Sequence, residues 1–240
     1  MSRELFNSLV TKISTLPQEH RECYQDVLEI LKDFNSRLEK LEGKQESKIT
    51  VVSSNNTISH SLVMTEVPEI NEYMETLREW TGKTSFKLLY DSSNDGLIPA
   101  AFNCMTSSIT NLMTIIITQD NCIFGTYNVF PVPHPPAKGE TGYIDKDPDY
   151  IVFTLKNPHN IQPTKFTRTR LSHTLRVCPS EGSTVVAAAD CFQIETNNSY
   201  IIPSFGGYHN PKTAKGSDIF VGNHYPARFV VKKMVAVQWV

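Results

Sequence analysis

The chain has 240 residues and 40% of them are hydrophobic, which is enough for one sizeable core and an additional segment. Its formal net charge of −2 gives no overall electrostatic attraction to nucleic acid or to an anionic membrane. No apolar run approaches the roughly 20 residues that a membrane-spanning helix needs. The N-terminus lacks the apolar block and the small-residue cleavage site of a signal peptide.

Five cysteines are scattered without paired spacing: Cys23, Cys104, Cys122, Cys178 and Cys191. An odd number of unpaired cysteines is typical of reduced thiols in a protein that is not secreted. We therefore predict a cytoplasmic protein, with a nuclear location left open.

Residues 1–43 are predicted to be a helical, coiled-coil segment. Along residues 18–42 the apolar residues alternate spacings of three and four, which is the a/d seam of a coiled coil. The seam consists of Tyr24, Val27, Leu31, Phe34, Leu38 and Leu41, and Gly43 ends the pattern. Charged flanks favour a homodimer through this seam. The alternative is that the stripe packs against the chain's own globular domain.

Residues 44–64 are polar and poor in large apolar groups, so they are predicted to be a linker. Residues 65–240 form the predicted globular domain. The domain begins with an amphipathic helix that carries Ile70, Leu77 and Trp80 on one face. Pro68 lies near the start of this helix and Gly82 follows its end, as helix start and stop signals require.

The remainder of the domain is predicted to consist mainly of strands. Short segments rich in β-branched and aromatic residues alternate with turns of Gly, Pro and Asn, at 85–90, 112–118, 121–127, 149–156, 184–195, 199–203, 218–222 and 228–239. The stretch 131–149 is predicted to be a long surface loop. Many short strands joined by such turns indicate an antiparallel two-sheet sandwich. The predicted class is thus α+β, mainly β, with a few packed helices.

The turn from Asp91 to Gly96 imitates the first half of an EF-hand calcium loop. Side-chain oxygens occupy its first, third and fifth positions, and a glycine occupies the sixth. However, the twelfth position is Phe102 where a bidentate glutamate is required, and the segment follows a strand. We interpret it as a turn whose side chains bond their own backbone, and we predict no metal or cofactor.

The run from Lys165 to Arg176 carries four basic side chains and no acidic one: Lys165, Arg168, Arg170 and Arg176. Such a patch could bind phosphates of a nucleic acid or an acidic protein surface. The alternative is a solvated edge strand that its charges protect from aggregation.

Ser204 and His209 flank two adjacent glycines, Gly206 and Gly207. A hydrolase interpretation would combine this serine and histidine with an acid, such as Asp190 or Asp218. The serine does not stand in a Gly-x-Ser-x-Gly elbow, and sequence spacing alone does not define a triad.

Cys178 is the best candidate for a reactive thiol, because it follows Arg176 by two residues in a predicted loop. Cys104, Cys122 and Cys191 are predicted to be inert core residues. A zinc site formed by Cys178, Cys191, His209 and His224 would lack the paired short spacings of known zinc sites.

Several motifs occur in one order along the chain: LLYDSSNDG at 88–96, IFGTY at 123–127, PSFGGYH at 203–209 and a final strand that closes at Trp239. Together these motifs resemble the TLDc domain of the oxidation-resistance proteins, across residues 65–240. The resemblance implies structural roles for Asp95, Gly96, Phe102, Phe124, Gly125, Ser204, Phe205, Gly206, Gly207, His209 and Trp239. The chain departs from the family at Tyr208, where a third glycine is usual, and at Val237 and Gln238, where an acidic residue is usual.

The resemblance implies a non-enzymatic protein-interaction module with no cofactor. Members of the family support resistance to oxidative stress, and some bind the vacuolar proton ATPase. Fold alone does not fix function, and two other classes stay open. One is a redox or hydrolytic enzyme that uses Cys178 or the pair Ser204 and His209. The other is a nucleic-acid-binding regulator that uses the basic run at 165–176.

Overall fold

The structure is a computed structural model that describes residues 66–170 and 172–240. The predicted coiled-coil segment 1–43, the predicted linker 44–64 and the proposed dimer seam lie outside these residues. Within the two described ranges, no helix is long and apolar enough to cross a membrane.

The helices of the described residues are short. The first is a 3₁₀ helix, Pro68–Tyr73, which continues directly into α1, Met74–Thr81. Gly82 ends α1 in the left-handed conformation with φ of 66°, as its position after the apolar stripe predicts. The described residues also contain α2 (Ser92–Asp95), α3 (Pro99–Thr106), α4 (Phe205–Tyr208) and a 3₁₀ helix (Gly216–Ile219).

Two antiparallel sheets account for the strands of the described residues, which confirms the predicted mainly-β, two-sheet class. Sheet A has the strand order β1-β12-β2-β3-β5-β6-β11, and sheet B has the order β10-β9-β8-β7-β4. Their bounds are β1 Phe86–Asp91, β2 Leu112–Thr118, β3 Ile123–Asn128, β4 Gly142–Asp145, β5 Ile151–Lys156, β6 Thr164–Arg168, β7 His173–Val177, β8 Thr184–Ala188, β9 Phe192–Glu195, β10 Tyr200–Ile201, β11 His209–Asn210 and β12 Val231–Trp239.

The main hydrophobic core lies between the two sheets. Phe124 of β3 meets Phe192 of β9 with ring centroids 5.3 Å apart. Phe166 of β6 meets Phe205 of α4 edge-to-face at 5.1 Å. Residues from the inner faces of both sheets form one buried cluster, as expected for a sandwich.

A second core covers the opposite face of sheet A. Ile70 and Leu77, from the first 3₁₀ helix and α1, are fully buried there, and Trp80 contacts Phe153 of β5 at 5.8 Å between ring centroids. Sheet A is therefore apolar on both faces. This explains why all seven residues of β2, Leu112–Thr118, are buried and why the strand lacks charged residues and a solvent-facing polar alternation.

Three predicted elements differ in the structure. The predicted single strand 184–195 is two strands, β8 and β9, because Asp190 turns the chain with φ of 57°. The predicted loop 131–149 contains strand β4 at the edge of sheet B. The prediction of a strand at 218–222 is wrong, since a 3₁₀ helix and a turn stand there. These place Phe220 at 4.9 Å from the Phe205 ring in the core.

Candidate functional site on the outer face of sheet B

Two parallel rows of side chains cross sheet B. One row consists of register partners that all lie in the main core: Leu175, Ala188, Phe192 and Ile201. Side chains alternate between the faces of a sheet, so the neighbouring row points outward. This outer row consists of Tyr143, Arg176, Ala187, Gln193 and Tyr200.

A small residue in the outer row allows two polar side chains to meet. Ala187 lies opposite both Arg176 and Gln193 in the strand register. Nη2 of Arg176 donates a hydrogen bond to Oε1 of Gln193 at 2.5 Å. The Gln193 amide is itself oriented, because its Nε2 donates to Thr184 Oγ1 at 3.2 Å and to Glu195 Oε1 at 2.6 Å.

A cleft of about 320 Å³ opens above this row, and we call it the Arg176 cleft. Its lining includes Tyr143, Arg168, Arg176, Ala187, Asp190 and Tyr208. The two tyrosines are 37% and 41% exposed. Tyr143 also stacks on His173 with ring centroids 4.2 Å apart, and His173 Nδ1 pairs with the carboxylate of Asp145.

Arg168 is a buried part of the cleft wall. Its side chain is only 7% exposed, and Nη2 forms an ion pair with Asp190 Oδ2 at 2.9 Å. Nη1 donates to the carbonyl oxygen of Ala189 at 2.8 Å, and Nη2 also donates to Ser172 Oγ at 2.8 Å. Its Nε is buried and has no partner among the described residues. Arg168 thus ties the end of β6 to the turn after β8.

Arg176 lacks the charge partner that Arg168 has. Across the described part of the chain, no carboxylate lies within ion-pair distance of Arg176, and its Nε is buried without a hydrogen-bond partner. Its charge is near the Cys178 thiol and lowers the pKa of that thiol, but burial has the larger effect and raises it overall.

The structure brings together two of the four predicted basic residues, Arg168 and Arg176. Lys165 instead lines a separate cleft beside Trp80, on the other face of sheet A. Arg170 lies beyond the end of β6 and is exposed. Strand β6 is not an edge strand, because it pairs with β5 on one side and with β11 on the other.

The predicted hydrolase residues are not arranged as a triad. His209 is 1% exposed, its ring stacks on Phe205 at 4.6 Å, and its Nδ1 donates to the Phe205 carbonyl oxygen at 3.2 Å. Burial lowers the pKa of His209 to about 4. No hydrogen bond joins it to Ser204 in the described part of the chain. Asp218 pairs with His224 at 2.6 Å.

Burial differs among the four described cysteines and affects the pKa of the buried thiols. Cys178, Cys122 and Cys191 are buried, and burial raises the pKa of all three thiols. The prediction that Cys104 belongs to the core is wrong, because α3 turns Phe102 and not Cys104 toward the core. Among the residues that the structure describes, no three His, Cys, Asp or Glu side chains are grouped to hold a metal.

The residues that carry the TLDc resemblance are mostly structural in this fold. Phe102, Phe124, Phe205 and Trp239 are among the largest fully buried side chains. Trp239 Nε1 donates to Met113 Sδ at 3.4 Å. Gly96 follows α2 with φ of 78°, where a side chain would be strained.

The turn Asp91–Gly96 uses its oxygens internally, as the sequence predicts. Oδ1 of Asp91 accepts from the Ser93 backbone N–H at 2.9 Å, and Oδ2 of Asp95 accepts from the Asp91 backbone N–H at 2.8 Å. Lys233 Nζ lies 3.3 Å from Asp91 Oδ2. The carboxylates are therefore occupied by backbone N–H groups and by a lysine.

Sequence reasoning missed Tyr143, Ala187, Gln193 and Tyr208 as parts of one cleft. The only available signal was the alternation in β8 and β9, since Tyr143 lies in a segment predicted to be a loop. Strand pairing across the sheet, and not local sequence, brings these residues together.

No protein-family model matches the sequence, and no curated protein matches it at a significant level.

Proposed function

We propose that residues 65–240 form a TLDc-type protein-interaction module that acts without catalysis and recognises its partner through the Arg176 cleft. By resemblance, its role would be in resistance to oxidative stress, in regulation of the vacuolar proton ATPase, or in both. The motif residues Phe102, Phe124 and Trp239 support this proposal, because all three are buried framework residues rather than groups arranged for a reaction.

One observation carries the proposal: two exposed tyrosines line one cleft with an arginine that has no ion-pair partner among the described residues. Tyr143 lies opposite Arg176 in the strand register, and the ring of Tyr208 lies 5.8 Å from Cζ of Arg168 in the same cleft. Tyrosine and arginine are enriched at the centres of protein interfaces, where they contribute much of the binding energy. A protein surface is therefore the partner class that fits this cleft best.

Affinity capture with the full chain tests the proposal. We expect the chain to retain vacuolar ATPase subunits from cell extract, and the variant Tyr143→Ala/Tyr208→Ala to lose them. Tyr225→Ala is the matched control, because Tyr225 is 48% exposed but does not line the cleft. Capture that survives the double substitution, or an absence of any specific partner, would contradict the proposal.

The enzyme alternatives make a different prediction. They require that the purified chain consumes peroxide or a model ester, and that Cys178→Ser or Ser204→Ala abolishes this turnover. We expect no turnover, because the Cys178 thiol and the His209 ring are both buried. Turnover that one of these substitutions removes would replace the interaction proposal.

The nucleic-acid alternative predicts binding that weakens steeply with added salt, because each neutralised phosphate releases counterions. The Arg168 charge is already balanced by Asp190, and Lys165 lies in a separate cleft away from Arg176, so the cations of the run 165–176 do not form one patch. We therefore expect weak binding that Arg170→Gln does not alter.

A further inference from the structure

We infer that the Arg176 cleft binds a glutamate or aspartate side chain from an acidic segment of a protein partner, with Arg176 as the anchoring cation. This inference rests on the proposed interaction function and specifies the chemistry of the partner.

The guanidinium of Arg176 has more hydrogen-bond donors than its surroundings use. A guanidinium has five N–H donors, of which Nη2 of Arg176 donates to Gln193, and the side chain also contacts the Cys178 thiol. Gln193 is fixed in turn by Thr184 and Glu195, so it holds the guanidinium in one orientation. An arginine held in this way is prepared for the two parallel hydrogen bonds that a carboxylate accepts.

Arg168 gives a second observation that does not involve Arg176. Arg168 lines the same cleft, its side chain is 7% exposed, and its Nε has no partner among the described residues. Buried donors without partners are rare in folded proteins. Both Nε atoms are enclosed by the protein, so they mark two incompletely hydrogen-bonded guanidinium groups in one cleft wall. A ligand in the cleft would meet the Nη groups and not these Nε atoms.

The charge of the cleft selects a carboxylate over a phosphate. Asp190 balances Arg168, lines the cleft and has a side chain that is 32% exposed. Of the two arginines that line the cleft, Arg176 is left without an ion-pair partner among the described residues. A singly charged carboxylate neutralises it, whereas a phosphate dianion leaves one negative charge in excess and is repelled about twice as strongly by the Asp190 carboxylate.

The walls of the cleft select a protein segment. Its lining includes Ala187 and Ala189 and the exposed rings of Tyr143 and Tyr208. At about 320 Å³ it stands at the small end of ligand pockets, with room for a few side chains. The methylene groups of a glutamate can contact the alanines, and an adjacent aromatic residue can contact the tyrosine rings.

The test is a titration of the ¹⁵N-labelled full chain, followed by transverse-relaxation-optimised NMR. The probe is a blocked pentapeptide in which two glutamates flank a phenylalanine. We expect saturable shifts of the Gln193 side-chain amide and of the backbone amides at 187–189. A matched peptide with glutamines in place of the glutamates should bind about tenfold more weakly or worse.

Variants of the chain test whether Arg176 binds the carboxylates of the peptide. Arg176→Met keeps an aliphatic side chain but removes the charge, and we expect it to weaken binding of the acidic peptide about tenfold or more. Arg176→Lys should bind with intermediate affinity, because lysine keeps the charge without the bidentate geometry. Arg170→Met is the matched control and should bind like the unmodified chain. Thermal unfolding checks that each variant is folded.

Several results would overturn the inference. These are shifts confined to residues outside the cleft, equal affinity for the glutamate and glutamine peptides, or an equal loss in Arg170→Met. Tighter binding of a peptide with phosphoserines in place of the glutamates would show that the cleft prefers a phosphate to a carboxylate. If Arg176→Met still captures the cellular partner, the inference fails and the interaction function stands. If the peptide binds as expected but no cellular partner is captured, the proposed function fails instead.

Discussion

Two glycines of the TLDc-like motifs have opposite surroundings, although the sequence gives both the same apparent importance. A Cβ atom on Gly125 would lie 1.9 Å from the carbonyl oxygen of Thr114 and 2.9 Å from Cζ of Phe153. A Cβ atom on Gly207 would meet nothing within 4 Å. Position 125 must therefore be glycine, because β2 approaches it too closely for a side chain. Position 207 has room for a side chain.

Gly125→Ala should lower the free energy of unfolding by about 3 kcal/mol or more, because the backbone of β2 must move to admit the methyl group. Gly207→Ala should change the free energy of unfolding by no more than about 1 kcal/mol, toward greater stability, since alanine restricts the unfolded chain. Urea unfolding monitored by circular dichroism measures both values. Equal effects of the two substitutions would contradict the steric explanation.

The buried histidine makes stability depend on pH. Burial lowers the pKa of His209 from 6.5 to about 4, so between these values the unfolded chain binds the proton and the folded chain does not. Stability from this group is complete above pH 6.5 and is lost as pH falls toward 4. The loss is about 3 kcal/mol over this interval, from the free energy equivalent of the pKa difference.

His209→Phe should remove much of the pH dependence of unfolding between pH 6.5 and 4. It retains a ring that can stack on Phe205 and removes the titrating group, although the bond from Nδ1 to the Phe205 carbonyl oxygen is lost. His134→Gln is the control, because His134 is exposed, and it should retain the original profile. An unchanged slope in His209→Phe would show that other groups set the acid sensitivity.

At the scale of elements, the end of β1 is stabilised by groups from distant parts of the chain. Asp91 caps α2 through the Ser93 N–H, and its other oxygen faces Lys233 of β12. Lys233 also lies 3.4 Å from Glu69, at the beginning of the first 3₁₀ helix. One lysine thus connects a strand, a turn and a helix. This network explains why the turn contains acidic residues without a metal.

Asp91→Ala should lower the free energy of unfolding by about 1–3 kcal/mol, because it removes the helix cap and leaves the Lys233 charge with one acidic partner fewer. Calcium at millimolar concentration should leave the melting temperature of the unmodified chain unchanged. Thermal unfolding in calcium and in chelator measures both effects. A rise in melting temperature with calcium would support the EF-hand interpretation.

Some strands can be predicted from local sequence, whereas other segments take their conformation from packing against distant residues. The continuous apolar run of β2 indicates a strand buried on both faces, and the structure has it between two cores. By contrast, the apolar residues at 218–222 follow no clear period, and packing of Phe220 against Phe205 decides their 3₁₀ conformation. Short apolar segments are ambiguous because burial, and not propensity, selects their shape.

At the scale of the whole molecule, we expect the two predicted parts to have separate tasks. The Arg176 cleft contains an arginine without an ion-pair partner among the described residues, and the seam at 18–42 is predicted to join two copies of the chain. Two linked cleft domains would bind a repeated or paired partner more tightly than one, since the second contact becomes intramolecular.

We expect the full chain to be a dimer, and Leu31→Glu/Leu38→Glu to be a monomer, because two charges in the apolar seam repel their copies across the interface. Lys32→Gln, on the charged flank of the seam, is the control and should stay dimeric. Light scattering after size-exclusion chromatography measures the mass. A dimer that survives the double substitution would favour the alternative in which the stripe packs on the globular domain.

The sequence by itself determined the class of the fold: period-2 strands, glycine and asparagine turns and one amphipathic helix indicate a two-sheet sandwich with few helices. These are local features, because side-chain alternation, turn chemistry and helix ends depend on residues a few positions apart. Only the tertiary structure decided which strands are neighbours, and hence that Tyr143, Arg176, Ala187 and Gln193 form one row. Strand order is set by how apolar faces are covered across the whole chain, and no short stretch of sequence contains that information.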